Sequence, residues 1–207
     1  MNTPATDQEL FWKGDFGTEY TQRNRGGQIV AGNIAMFSRI LARTTGIRSV
    51  IELGANIGLN LHALQLLLPA ASLSAVEIND TAVEELRRTR GIEVHHISLL
   101  EFIPPQEYDF VLIKGVLIHI NPARLPDAYD LAWRSSSKYI CFAEYYNPSP
   151  VEVTYRGHAD RLYKRDFAGE LMERHPGLKL VDYGFCYHRD PVFPLDDISW
   201  FLMEKSA

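Results

Sequence analysis

Val50-Ile51-Glu52-Leu53-Gly54-Ala55-Asn56-Ile57-Gly58 reads as a short apolar strand carrying one acid, two glycines four apart, and the start of a helical apolar run. A strand that enters a helix through a glycine turn lets backbone approach a ligand closely, because glycine has no Cβ and tolerates positive φ. The helix that follows presents unpaired N–H groups and a partial positive charge. Such a turn suits a phosphate, a carboxylate or a ribose. Glu52, placed before the first glycine, repels a pyrophosphate and suits a cation such as an ammonium or a sulfonium. The dinucleotide fingerprint G-x-G-x-x-G is absent, since Asn56 stands two residues after Gly54, which argues against a nicotinamide oxidoreductase.

Outward from this turn, strands and helices alternate. Apolar spacing predicts a helix over Gln28–Ala42, a strand over Arg48–Leu53 and a helix over Leu59–Leu68. A strand follows over Leu73–Ile78, then a helix opened by Thr81 with Glu84 and Arg88 paired one turn apart, and a strand over Ile92–Ile97. Tyr108–Lys114 is almost wholly apolar, the mark of a strand buried on both faces. Pro122–Trp133 gives a helix, Lys138–Tyr146 a strand, and Asp166 caps a helix to Arg174. Leu178–His188 and Ile198–Lys205 are strands whose connection, with Pro191 and Pro194, has no room for a helix; one antiparallel strand at an edge is expected. The pattern is an α/β, Rossmann-like, doubly wound sheet with helices on both faces.

Ahead of this core lies Phe11-Trp12-Lys13-Gly14-Asp15-Phe16-Gly17-Thr18-Glu19-Tyr20-Thr21-Gln22-Arg23-Asn24-Arg25. Aromatics separated by glycines read as an irregular strap, and residues 1–10 as frayed. As a lid over the site, the strap brings Tyr20 and Arg23 to it. One domain is expected over 1–207, with an arm over 1–27 and a core over 28–207.

Apolar and charged fractions of 46% and 23% belong to an ordinary globular domain. The net charge of −5 gives no reason to expect nucleic acid. No signal peptide or membrane-spanning run is visible, so a cytoplasmic protein with no membrane partner is expected. Cys141 and Cys186 lack metal-ligand spacing, and Glu144 with Asp109 makes no convincing ligand set, so no metal is expected.

Glu52-Leu53-Gly54-Ala55-Asn56-Ile57-Gly58 resembles the cofactor turn of class I S-adenosylmethionine (SAM) methyltransferases, with Asn56 where many carry a third glycine. The seven-stranded sheet of that superfamily, its last strand antiparallel, fits the alternation above. The resemblance implies SAM as cofactor, held by Glu52, Gly54, Asn56 and Gly58. Glu77, nineteen residues beyond Gly58, would take the ribose diol and Ile78 would lie against the adenine. Ser98 and Leu99 stand where many members bring an acid to the adenine amino group. The carbonyl of Lys114 would face the methionine amino group, and Gly115 would let the chain pass the sulfonium. Leu117-Ile118-His119 resembles a small-molecule methyltransferase signature. His119 is the candidate base, because an imidazole near neutrality suits a hydroxyl or ammonium acceptor that must lose a proton. Tyr146 is the second candidate catalytic residue.

The loop over residues 144–167 is long, aromatic and basic, as acceptor loops often are. Arg156, His158, Arg161, Lys164 and Arg165 suggest an anionic acceptor, or else a solvated surface paired with Glu152, Asp160 and Asp166. Glu144, Tyr145 and Asn147 are further candidate acceptor contacts. The motif around Phe11–Asn24, the turn at Glu52–Gly58, and Tyr146-Asn147-Pro148-Ser149-Pro150-Val151-Glu152-Val153-Thr154-Tyr155-Arg156-Gly157-His158 together resemble methyltransferases associated with pseudaminic acid biosynthesis. What this implies is N- or O-methylation of a small sugar derivative in nonulosonic acid or surface polysaccharide synthesis. The alternatives are a nucleotide-binding module without catalysis and a methyltransferase of an unrelated small molecule. Oligomeric state is not readable from the sequence.

Overall fold

Thr6-Asp7-Gln8-Glu9 starts a helix by a reciprocal cap: Glu9 N–H donates to Thr6 Oγ1 at 3.2 Å and Thr6 N–H donates to Glu9 Oε2 at 2.8 Å. The computed structural model describes residues 6–23 and 26–206. In it the expected irregular strap is two helices, α1 (Asp7–Lys13) and α2 (Asp15–Arg23). Gly14 ends α1, and Gly17 lets α2 turn back on it, since a Cβ there would lie 1.8 Å from the Trp12 carbonyl oxygen. The aromatics therefore fill a helix–helix seam. Fraying over residues 6–10 is corrected by α1; residues 1–5, Asn24 and Arg25 lie outside the described residues.

The core follows the sequence closely. Helix α3 (Gly27–Leu41) leads to β1 (Ser49–Leu53), α4 (Leu59–Leu67), β2 (Ser72–Glu77), α5 (Asp80–Arg87), β3 (Ile92–His96) and β4 (Tyr108–Lys114). Asn79, not Thr81, caps α5 by accepting from Ala82 N–H at 3.1 Å, and Arg88 pairs with Glu85 at 3.0 Å instead of Glu84. Two single 3-10 turns, Leu117–His119 and Pro122–Arg124, precede α6 (Leu125–Ser135) and β5 (Ser136–Glu144). The acceptor loop holds a short hairpin, β6 (Val151–Glu152) and β7 (Tyr163–Lys164). Then come α7 (Phe167–Arg174), β8 (Leu178–Cys186) and β9 (Ile198–Lys205).

The sheet order is β3-β2-β1-β4-β5-β9-β8. The pairings along β3-β2-β1-β4-β5 are parallel, while β9 runs antiparallel to both β5 and β8. The antiparallel strand therefore sits one place in from the edge. Period-two alternation divides the core into two faces. Val50, Phe110 and Leu112 meet Phe37 and Ile40 of α3 and Leu61 and Leu64 of α4. Ile51, Val111 and Ile113 meet Leu125 and Leu131 of α6 and Leu171 of α7. Each such buried side chain contributes about 1.5–3 kcal/mol. Cys141 and Cys186 are buried and unpaired. No helix of the described residues is long and apolar enough to cross a membrane.

Candidate active site

A cavity of about 310 Å³ opens at the carboxyl ends of β1, β2 and β4, where such sheets bind ligands. The turn after β1 forms its floor. Gly54 and Gly58 take positive φ of 85° and 80°, and a Cβ at either would lie 2.6 Å from Val116 or 2.4 Å from Leu86. Asn56 takes the same left-handed region at φ 48°, which asparagine tolerates. Its N–H donates to Glu77 Oε2 at 2.7 Å, and its Oδ1 accepts from Thr21 Oγ1 at 3.2 Å.

Glu77, the last residue of β2, lies in the cavity wall. Its Oε1 accepts from the N–H groups of Ile78 at 2.9 Å and Asn79 at 2.8 Å. Burial raises its pKa, against the lowering by these bonds and by Asn56. Ile78, Ser98 and Leu99 line the same side. Ser98 donates through Oγ to Glu9 Oε1, and Asn79 Nδ2 donates to the Trp12 carbonyl at 3.1 Å. These bonds fasten α1 over the rim, and those from Asn79 Nδ2 to Thr18 Oγ1 at 3.3 Å and from Thr21 to Asn56 fasten α2 there. Gln8, Glu9, Trp12, Gly17, Tyr20 and Thr21 complete the wall. The strap is thus part of the site.

Glu52 is not in the wall. Sharing the parity of Val50, it projects beneath the cavity toward α4 and is fully buried. Its Oε1 accepts from Asn60 Nδ2 at 2.5 Å and its Oε2 has no partner among the described residues. Burial drives its pKa up to about 8, opposed by Asn60 and Lys114. The expectation of a carboxylate pointing into the pocket is corrected: the wall residue there is Asn60. Gly58 likewise shapes the turn without lining the cavity.

Lys114 and Gly115 close the opposite side with Asn33 and Asp196. Burial lowers the Lys114 pKa, against the pull of Glu52, Asp196 and Glu144. A Cβ on Gly115, at φ 66°, would meet nothing within 4 Å, so the backbone here faces open space. Asn33, from the middle of α3, is fully buried, and among the described residues neither its Oδ1 nor its Nδ2 has a partner. Sequence reading missed Asn33, because one polar residue in an apolar helix carries no periodic signal; it also missed Trp12, Asn60 and Asp196.

His119 lines the cavity and also a chamber of about 80 Å³ beside it. Its Nδ1 lies 2.6 Å from the Arg161 carbonyl oxygen, which can only accept, so Nδ1 carries the proton and Nε2 is left accepting. Burial lowers its pKa to about 4, partly offset by that bond. The imidazole is therefore neutral at pH 7, a weaker base than its type suggests. Glu144 and Tyr145 line the small chamber with Tyr20 and Tyr155. Burial raises the Glu144 pKa to about 7, against N–H bonds from Val116, Leu117 and Ile118 and the charge of Lys114.

The remaining expectations lie elsewhere. Tyr146 is exposed against Phe201, and Asn147 bonds Ser149 within its own loop, so neither reaches either cavity. Arg23 pairs with Glu19 and lies 5.6 Å from the Phe16 ring. The loop cations do not converge. Arg161 covers Phe11, Arg156 covers Tyr155 and Lys164 covers Tyr145. His158 packs edge-to-face against Phe11 and Phe16, and Arg165 pairs with Glu170 at 2.8 Å. Ring contacts for four of them and an ion pair for Arg165, absent from a count of charges, hold them away from the cavity wall, so they form no anion site there.

No protein-family model matches the chain, and no curated protein matches it. Among solved structures it is similar to the 1,6-didemethyltoxoflavin-N1-methyltransferase of Burkholderia thailandensis with bound 1,6-didemethyltoxoflavin and S-adenosylhomocysteine. The identity is 15% and the TM-score 0.71, over 100% of this chain and 94% of that one. It is also similar to the magnesium protoporphyrin IX methyltransferase of Synechocystis with bound S-adenosylhomocysteine, at 14% identity and TM-score 0.68, over 97% and 100% of the two chains. A SAM-dependent methyltransferase of Leishmania major matches at 18% identity and TM-score 0.69, over 97% and 86%. The chain has the Rossmann-like methyltransferase fold.

Proposed function

We propose that this chain is a SAM-dependent methyltransferase acting on a small molecule. The observation that carries this is the cavity at the carboxyl ends of β1, β2 and β4, walled by Gly54, Glu77 and Gly115. The residues present fit the cofactor. Glu77 offers a carboxylate to a ribose diol, beside the apolar Ile78 and Leu99. Asn33 offers an unmatched amide, donor and acceptor together, to an amino-acid tail. Gly115 leaves space where any side chain would intrude. Bound there, SAM supplies an electrophilic methyl group on a sulfonium.

The chain's own part is positioning. Methyl transfer is an in-line displacement, and fixing distance and angle supplies most of the acceleration. Glu52 holds Asn60 in the wall and acts through it. Trp12 and Tyr20, on the strap, exclude water from the rim. His119, with its proton tied to the Arg161 carbonyl, is fixed as a hydrogen-bond acceptor between the two chambers.

The finer reading is a sugar-derived acceptor of the nonulosonic acid type. It is supported by the motifs at Phe11–Asn24, Glu52–Gly58 and Tyr146–His158. The loop cations add nothing to it, because they do not line either cavity. Calorimetry with SAM and S-adenosylhomocysteine tests the cofactor, and no binding in the micromolar range refutes the proposal. Release of S-adenosylhomocysteine, followed by mass spectrometry over a panel of amino- and hydroxy-sugars, tests the acceptor.

A further inference from the structure

The small chamber has a composition the cofactor cavity lacks. Its own wall includes Glu144 and the half-buried Tyr145 and Tyr155, while Tyr20, Lys114, Gly115, His119 and Asp196 line both it and the larger cavity. Glu144 ends β5 and is 3% exposed. Its Oε1 is occupied by the N–H groups of Val116 at 2.9 Å and Leu117 at 3.0 Å. The Ile118 N–H also lies close to this carboxylate, but among the described residues Oε2 has no hydrogen-bond partner. A buried carboxylate oxygen without a donor is destabilising until a donor reaches it. Tyrosine rings attract cations, and Tyr155 and Tyr145 already each carry one over the ring, Arg156 at 5.8 Å and Lys164 at 5.2 Å.

We infer that this chamber receives the amino group of the methyl acceptor, a primary or secondary ammonium, whose N–H is bound by Glu144 Oε2 and whose proton passes to it. The inference rests on the methyltransferase reading and names its acceptor class. In the step, one N–H bond of the ammonium breaks and one O–H bond forms on Glu144. The electron pair stays on nitrogen, leaving a neutral amine beside Gly115. About 80 Å³ admits an amino group with its carbon and little more, so the rest of the acceptor stays outside the chamber.

The groups facing Glu144 agree with this. Lys114 comes from β4, Asp196 from the β8–β9 connection, His119 from the turn after β4, Tyr20 from α2, and Tyr145 and Tyr155 from the loop. Two carboxylates against one ammonium leave the chamber short of positive charge. His119, held near pKa 4 by burial, does not compete for the proton, whereas Glu144 near 7 exchanges it at neutral pH. Asp196, Tyr20, Tyr155 and Glu144 all raise the Tyr145 hydroxyl pKa, after burial, which places the four groups close together.

Saturation-transfer NMR at pH 7.5 with ethylamine and ethanol as probes tests this, on the protein alone and with S-adenosylhomocysteine added. Ethylammonium is expected to bind at least about tenfold more tightly than ethanol, and Glu144→Gln to remove the preference, since a charge-assisted hydrogen bond is lost. Tyr155→Leu is expected to weaken ethylammonium alone, and decides the matter should Glu144→Gln not fold. Equal binding of the two probes, no binding of ethylamine, or a preference that survives both variants overturns the inference. Because the probes are read without the nucleoside, failure of S-adenosylhomocysteine to bind would sink the methyltransferase reading separately.

Discussion

Glu52→Gln is expected to flatten the dependence of stability on pH. Glu52 is fully buried, with Asn60 on one oxygen and, among the described residues, no partner on the other. A carboxyl held at about 8 instead of 4.5 is about 5 kcal/mol harder to ionise in the native chain than in the unfolded one. The native state therefore binds the proton more tightly. The contribution is complete below pH 4.5, shrinks as pH rises, and is gone above 8. Glutamine keeps an oxygen for Asn60 and cannot ionise. Urea unfolding at pH 5, 7 and 9 measures the difference. Relative to wild type, Glu52→Gln should gain about 3–5 kcal/mol between pH 5 and pH 9. Against a typical total of about 5–15 kcal/mol, that is a large part of the stability. Glu144, raised to about 7, adds a slope of the same sign in both proteins and cancels in the comparison. Parallel pH curves for the two proteins would refute the assignment of Glu52 as a buried, mostly neutral acid.

Two further outcomes are expected. Gly54→Ala and Gly115→Ala should separate fold from site: the first drives a methyl into Val116 and should lower stability by about 2–4 kcal/mol. The second meets only open space, should cost about 1–2 kcal/mol for its positive φ, and should weaken S-adenosylhomocysteine binding at least tenfold. Thermal melts with calorimetry check both, and the opposite ranking would contradict the placement of Gly115. The His119 imidazole should remain neutral down to about pH 4, so its ring resonances should not titrate near 6.5. Its lowered pKa contributes stability above pH 6.5 that is lost as pH falls through 4, about 3 kcal/mol in all. A ring that titrates near 6.5 would show that it is solvated.

The alternation of strands and helices was legible because buried parallel strands and amphipathic helices leave different apolar periods, and β4 and α4 match their expected ranges to within one residue. Glu77 was legible from its offset after the turn, and it does stand in the cavity wall. The arm was misread because Gly14 and Gly17 resemble loop residues in isolation, while their work is a helix stop and a close helix crossing. Thr6 and Glu9, at capping-box spacing, were the missed signal. Glu52 was placed on the wrong side of the wall because residue type was weighed and strand parity was not; Val50 already marks that face as inward. Arg156, Arg161 and Lys164 counted as a charged cluster, yet each lies over an aromatic ring, a pairing set by tertiary contact alone.

The place of β9 bears on how the protein is made. Among the described residues β8 pairs in the sheet with β9 alone, and β5 waits for β9 on that side. As the chain emerges during synthesis, β8 has nowhere to dock until residues 198–205 follow it out. β9 must slot between two earlier strands, and its pairing with β5 is a long-range one that slows closure. Deleting those residues would strip two strands from the sheet, so a nascent chain stalled there would expose the flank of β5.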